Sequence, residues 1–342
     1  MLSSSYTPSY YRWIILFGFS LLTFSSASLW ITFAPCLYIF MKYYSITATH
    51  VNILSTVYMI IYPMILFPSI KFFDKYGIRN GIIFGAFLNT LGSLIRFLGS
   101  LSQTMSGYWM IFIGQSIAAI AQVFMLGIPP KLANIWFNEF GEQNFATSIG
   151  VTANNAGIAV GFLLSPWLIK EETFKYDIPK YLLLQFGFCS LIYLFLVFTF
   201  KSAPGSFHKP FLLLSISYGM VTGGQYALST LLAQLILPST VGFLGFMLVI
   251  SGMIGSLIVG AYLDYTLAYK KSCHEVVDEI TSTGILNSFA QIWGILLISL
   301  MDSMENLNNN TKFPMELSTW FLFVIVFGGE SDIDFIEEIL VD

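Results

Sequence analysis

Long apolar runs separated by short polar or charged connections dominate the sequence, and none shows the strict alternation of a half-buried strand. A helix that crosses a bilayer needs about 20 largely apolar residues. Runs of that size fall at 13–40, 51–72, 81–100, 108–130, 145–169 and 181–200. A polar connection from Lys201 to Lys209 follows, then runs at 211–236 and 241–265, a weaker one at 280–300 and a short one at 317–328. The pattern predicts an all-α membrane protein with about ten spans. It divides into a six-helix N-terminal half (1–201), a cytoplasmic connection (202–210), an incomplete C-terminal half (211–328) and an acidic tail (329–342).

Composition identifies the solvent. Of 342 residues 56% are hydrophobic and only 10% charged, against about a quarter charged in ordinary soluble domains. Lipid tolerates only helices or closed barrels, because every backbone group there needs an internal partner, and the unalternated runs select helices. The 33 Phe, 18 Tyr and 7 Trp suit membrane interfaces and packed interiors. A dispersed net charge of −4, with no basic stripe interleaved with aromatics, excludes nucleic-acid binding. Cys36, Cys189 and Cys273 are far apart and imply packing, not a disulfide framework or a metal cluster. No nucleophile stands beside a base, so neither an enzyme nor a cofactor or metal site is expected. Met1 to Tyr11 lacks a basic segment followed by a small-residue cleavage site, so the first run reads as a retained helix.

Lys and Arg in the short loops set orientation. With the N-terminus in the cytoplasm, the inner side collects Arg12, Lys71, Lys75, Arg79, Lys131, Lys201, Lys209, Lys270 and Lys271. The outer side then holds Lys42, Arg96, Lys170, Lys175, Lys180 and Lys312, several beside Glu171, Glu172 and Asp177. The same orientation puts the glycosylation sequon Asn309-Asn310-Thr311 outside. The expected location is a multi-pass protein of the plasma membrane. Arg96 is expected near the outer end of the third span, with its charged head snorkelling to the interface.

An internal repeat is visible. Asp74-Lys75-Tyr76-Gly77-Ile78-Arg79 follows the second run, and Gly260-Ala261-Tyr262-Leu263-Asp264 closes the eighth. Two halves related by an axis along the membrane normal, with a substrate site between them near the midplane, are one known transporter plan. The motif Asp74-Lys75-x-Gly77-x-Arg79 resembles the loop signature of the major facilitator superfamily, whose charged residues latch helix ends on the cytoplasmic side; Ile70 stands where that signature has Gly. Further strings resemble the feline leukaemia virus subgroup C receptor-related family: Ala121-Gln122-Val123-Phe124-Met125-Leu126-Gly127-Ile128-Pro129, Ser148-Ile149-Gly150-Val151 with Asn154, Tyr218-Gly219-Met220 with Tyr226-Ala227-Leu228-Ser229, and Ser251-Gly252-Met253-Ile254-Gly255-Ser256. The resemblance implies a major facilitator fold of two six-helix halves and transport of choline or ethanolamine. Against that pattern helices nine and ten are missing, since Ile280 to Gly294 resembles the family's eleventh helix.

The site residues are implied by the same resemblance. Trp30, midway along the first span, and Tyr226, midway along the seventh, match aromatic residues that line the family's choline site. Aromatic faces hold quaternary ammonium groups, which donate no classical hydrogen bonds. Gln122 and Gln291, polar residues inside apolar spans, match substrate contacts, and Asn154 is a weaker candidate. Without the resemblance a midspan aromatic is core or lipid-facing, and a buried amide is interhelical glue. No Asp or Glu sits inside a clear span, so proton coupling has no visible carrier and facilitated, alternating-access transport is expected. Haem is the alternative cargo, although no span contains a His. A third reading is a transport-inactive or receptor-like protein lacking two helices.

Overall fold

The computed structural model describes residues 10–137 and 141–200, most of the six-helix N-terminal half. Tyr226, Gln291, Gly260 and Asp264 lie outside the described residues, as do the connection, the second half and its expected missing helices. Among the described residues the structure is wholly helical: α1 (Tyr11–Ile31), a 3₁₀ turn (Ala34–Cys36), α2 (Leu37–Tyr44), α3 (Ala48–Ser100), α4 (Met105–Leu126), α5 (Pro129–Phe137), α6 (Gln143–Leu168) and α7 (Phe174–Thr199). Five stretches among the described residues are long and apolar enough to cross a membrane.

One of the five contains two spans. A straight helix of the length of α3, 53 residues, would run about 80 Å, far beyond a bilayer core of about 30 Å. It folds back at Gly77, whose φ of 80° and ψ of 166° are the only non-helical values inside the element. The ring centroids of Phe72 and Phe84 lie 5.0 Å apart and nearly parallel, whereas twelve residues of uninterrupted helix would separate them by about 18 Å. The second and third apolar runs are thus the two arms of α3. A β-carbon at position 77 would meet nothing within 4 Å, so the demand for glycine is conformational and not spatial.

The first run, expected to be continuous over 13–40, is broken. Pro35 has no N–H for the carbonyl of Ile31, so α1 ends there and the chain passes through the 3₁₀ turn into α2. Thr32, Phe33, Ala34, Pro35 and Cys36 are all buried, which is where irregular backbone is tolerated at membrane depth. The loop expected after the fourth run instead contains α5, packed on α6.

Small residues bring the helices together. On the second arm of α3, Gly92 sits so close to α4 that an added β-carbon would lie 2.6 Å from the Gly114 carbonyl oxygen. A β-carbon on Gly157 of α6 would lie 2.2 Å from the Phe24 carbonyl oxygen of α1. Tight backbone approach replaces the hydrophobic drive that lipid cannot supply. Large apolar side chains, among them Phe17, Met64, Phe67, Trp167, Leu191 and Phe198, point outward. The interior holds Ser25, Asn89, Ser93, Arg96, Gln115 and Gln185. Polar groups inside and apolar groups outside are the arrangement lipid requires.

Candidate functional site

Trp30 occupies the last turn of α1 and is only 4% exposed, so its ring is enclosed by protein. The indole Nε1 donates to the Ser55 carbonyl oxygen of α3 at 3.2 Å. That bond, together with the α1 break two residues later, fixes the tilt of the aromatic face.

α4 presents two buried amides to the same region. Gln115 Nε2 donates to the Leu29 carbonyl oxygen at 3.4 Å, beside Trp30, while its Oε1 has no hydrogen-bond partner among the described residues. Gln122 follows seven residues later, on the same helix face and about 10 Å along the axis. It is 6% exposed, and its Oε1 likewise lacks a partner. A buried amide oxygen left unpaired costs about 1–3 kcal/mol, so Gln122 is poised to accept a hydrogen bond from a group that the described residues do not provide. Trp30 and Gln122 lie on helices that pack together, at levels about two turns apart. Gln115, at the level of Trp30, is a residue the sequence reading missed; its seven-residue spacing from Gln122 was the available signal. Asn154 is half-buried in α6.

Arg96 departs from expectation. It does not snorkel: it is 0% exposed, in the interior of the bundle. Its Nη2 donates to Gln185 Oε1 of α7 at 3.2 Å, and its guanidinium lies 4.9 Å from the centroid of the Phe33 ring. Gln185 Nε2 donates in turn to Thr32 Oγ1 at 2.9 Å. Two Arg96 nitrogens, Nε and Nη1, have no hydrogen-bond partner among the described residues. The side chain turns inward because Asn89, Ser93, Arg96 and Ser100 form one polar stripe on α3, and all four are buried.

The opposite end of the bundle carries the loop motif. Gly77 makes the reversal, Asp74 and Lys75 are exposed, and the Lys75 ammonium lies 5.1 Å from the Tyr76 ring centroid. Arg79 Nε donates to the Phe200 carbonyl oxygen at the end of α7, and the Tyr11 hydroxyl donates to the neighbouring Thr199 carbonyl oxygen. Arg12 pairs with Glu142 at 2.9 Å on the same end. Arg79 therefore ties the α3 reversal to the end of α7.

The helical bundle has an inward polar stripe and a glycine reversal, and the family profile described as Major Facilitator Superfamily matches residues 15–304. The chain belongs to that superfamily. Solved superfamily folds match it: the outward conformation of the transporter FucP, with a TM-score of 0.56 and 15% identity, over 90% of this chain and 96% of that one. A bacterial homologue of the human lysosomal transporter Spinster, facing inward, gives 0.54 and 12% over 93% and 80%. Among curated relatives, the choline/ethanolamine transporter flvcr2a of Danio rerio is 33% identical over 298 residues, or 76% of this chain and 63% of the relative. The choline/ethanolamine transporter FLVCR1 of Felis catus is 32% identical over 299 residues, or 76% of this chain and 53% of the relative. The chain thus spans between about half and just under two thirds of these relatives. As a superfamily member with several apolar helices it is a multi-pass membrane protein.

Proposed function

We propose that this transporter moves a small organic cation of the choline or ethanolamine class by alternating access, without proton coupling. The carrying observation is the enclosed, bond-oriented Trp30 ring. Among the described residues, Asp and Glu occur only near helix ends, in connections or at the α3 reversal. A cation held there is attracted by an aromatic face, worth about 2 kcal/mol when water is excluded. Tyr226 and Gln291, which lie outside the described residues, are assigned to the same site by the resemblance alone. The names of the curated relatives support the same cargo class. The end bearing Arg12, Lys71, Lys75 and Arg79 is the cytoplasmic end, in keeping with the bias of Lys and Arg, and the membrane is the plasma membrane.

The test is uptake of labelled choline by cells expressing the full chain. Saturable uptake, inhibited by ethanolamine and indifferent to haem, is expected; uptake of labelled haem without choline uptake would favour the haem reading. Uptake is expected to follow membrane potential and to ignore a proton gradient. The potential contributes about 2.3 kcal/mol per 100 mV to a monovalent cation, so collapsing 100 mV with external potassium should lower the limiting accumulation ratio about fiftyfold. An accumulation that collapses with the pH gradient at fixed potential would refute uncoupled transport.

Gln122 distinguishes the two ends of the substrate. Its unpaired Oε1 accepts from the choline hydroxyl, so Gln122→Ala is expected to raise the KM for choline about fivefold or more, matching the loss of a hydrogen bond worth about 1 kcal/mol. Inhibition by tetramethylammonium, which has no hydroxyl, should be unchanged. Equal loss for both cations would remove Gln122 from that role.

A further inference from the structure

We propose that Arg96 is a positioning residue for substrate binding: through Gln185 and Phe33 it fixes the interruption of α1 beyond Trp30, and so the angle at which the Trp30 ring is offered. The inference rests on the reading of Trp30 as a substrate contact given above.

Three observations carry it. First, Arg96 is fully enclosed, and among the described residues no carboxylate pairs with it. A buried cation without a counter-charge is an expensive component of a membrane helix and marks a functional position. Second, its side-chain hydrogen bond and its ring contact lead to the same backbone. Its Nη2 bonds to Gln185, Gln185 bonds to Thr32, and its guanidinium covers the Phe33 ring. Thr32 and Phe33 are the two residues between the end of α1 and the 3₁₀ turn. Pro35 leaves this segment without the ordinary helical bond at Ile31, so side chains from α3 and α7 add to the local bonds of Thr32 Oγ1 to the Ser28 carbonyl and of the Cys36 N–H to the Phe33 carbonyl in defining its path. Third, Trp30 lies immediately before the segment, and a rotation there carries the indole with it. The guanidinium suits this task because its planar fork holds one partner by hydrogen bond while stacking on another by its face, which a lysine does not reproduce.

A residue retained for position and not for stability has a distinctive signature. Arg96→Met removes an uncompensated buried charge, a change that is often neutral or stabilising. The melting temperature of the solubilised protein should therefore be unchanged or raised, while the KM for choline rises at least tenfold with the maximal rate per surface molecule within about twofold. Thr32→Val cuts the far end of the relay and leaves Arg96 in place; it should raise KM in the same direction. The double variant should be no worse than the worse single one, because both act through one chain of contacts.

Cys36 supplies a readout that needs no substrate. It is buried in the 3₁₀ turn, against a cavity of about 590 Å³ lined also by Pro35, Lys42, Glu171 and Phe174. If the relay holds the break, Arg96→Met and Thr32→Val should each speed maleimide modification of Cys36, followed by peptide mass spectrometry, at least fivefold. Unchanged labelling in Thr32→Val overturns the proposal, as does a lowered melting temperature with an unaltered KM in Arg96→Met, or additive KM shifts. Faster labelling in a protein that takes up no choline keeps the relay and removes the substrate reading instead. Should Arg96→Met fail to reach the membrane, Thr32→Val alone decides.

Discussion

Trp30→Ala is expected to reduce choline uptake at least thirtyfold per molecule at the cell surface, the larger of the two greatest effects the structure implies. A desolvated cation over an aromatic face gains about 2 kcal/mol or more, and about 1.4 kcal/mol is a factor of ten. Truncation also leaves a cavity, because the ring is enclosed, and such a void costs about 3–5 kcal/mol in stability. Uptake must therefore be normalised to surface protein and set beside Trp30→Phe. Phenylalanine keeps a π-face and loses only the bond to the Ser55 carbonyl, so its uptake should fall no more than about fivefold. If the alanine and phenylalanine variants lose transport equally, the indole N–H and not the ring face is what matters; if neither loses it, the cation site is elsewhere.

Gly157→Ala is expected to destabilise the bundle by about 2 kcal/mol or more. The new β-carbon would stand 2.2 Å from the Phe24 carbonyl oxygen and 3.0 Å from the Ala27 β-carbon. A backbone oxygen cannot rotate away, so α1 and α6 would have to separate, and overpacking of this kind typically costs about 1–3 kcal/mol. Gly187 of α7 supplies the control, since a β-carbon there meets nothing within 4 Å. Gly187→Ala should leave the melting temperature of the detergent-solubilised protein unchanged or slightly raised, because alanine is the better helix former. A matching loss in both variants would mean that glycine acts through backbone freedom and not through close approach.

The six spans of the described half were legible because lipid imposes a length and an apolarity that few other structures share. Gly77 was legible within its motif. What the sequence hid was direction and continuity. Arg96 was read as snorkelling because it lies within a turn of the end of its span, yet its neighbours at helical spacing, Asn89, Ser93 and Ser100, are polar and buried. In a membrane the polar stripe of a helix faces inward, and that stripe was the better guide. Pro35 announced the end of α1, but a strongly apolar run on both sides concealed a break that hydropathy does not register. Gln115 escaped notice because a single amide in a span reads as packing; only its alignment with Gln122 and its bond to the Leu29 carbonyl give it meaning. The partner aromatic Tyr226 rests on resemblance, since it lies outside the described residues.

The clasp at the end of α7 bears on how the molecule moves. Tyr11 grips the carbonyl of Thr199 and Arg79 that of Phe200, so the opening and closing helices of the half are stitched to each other and to the α3 reversal at a single rim. A bundle sewn shut in this way is held as one solid piece at that rim.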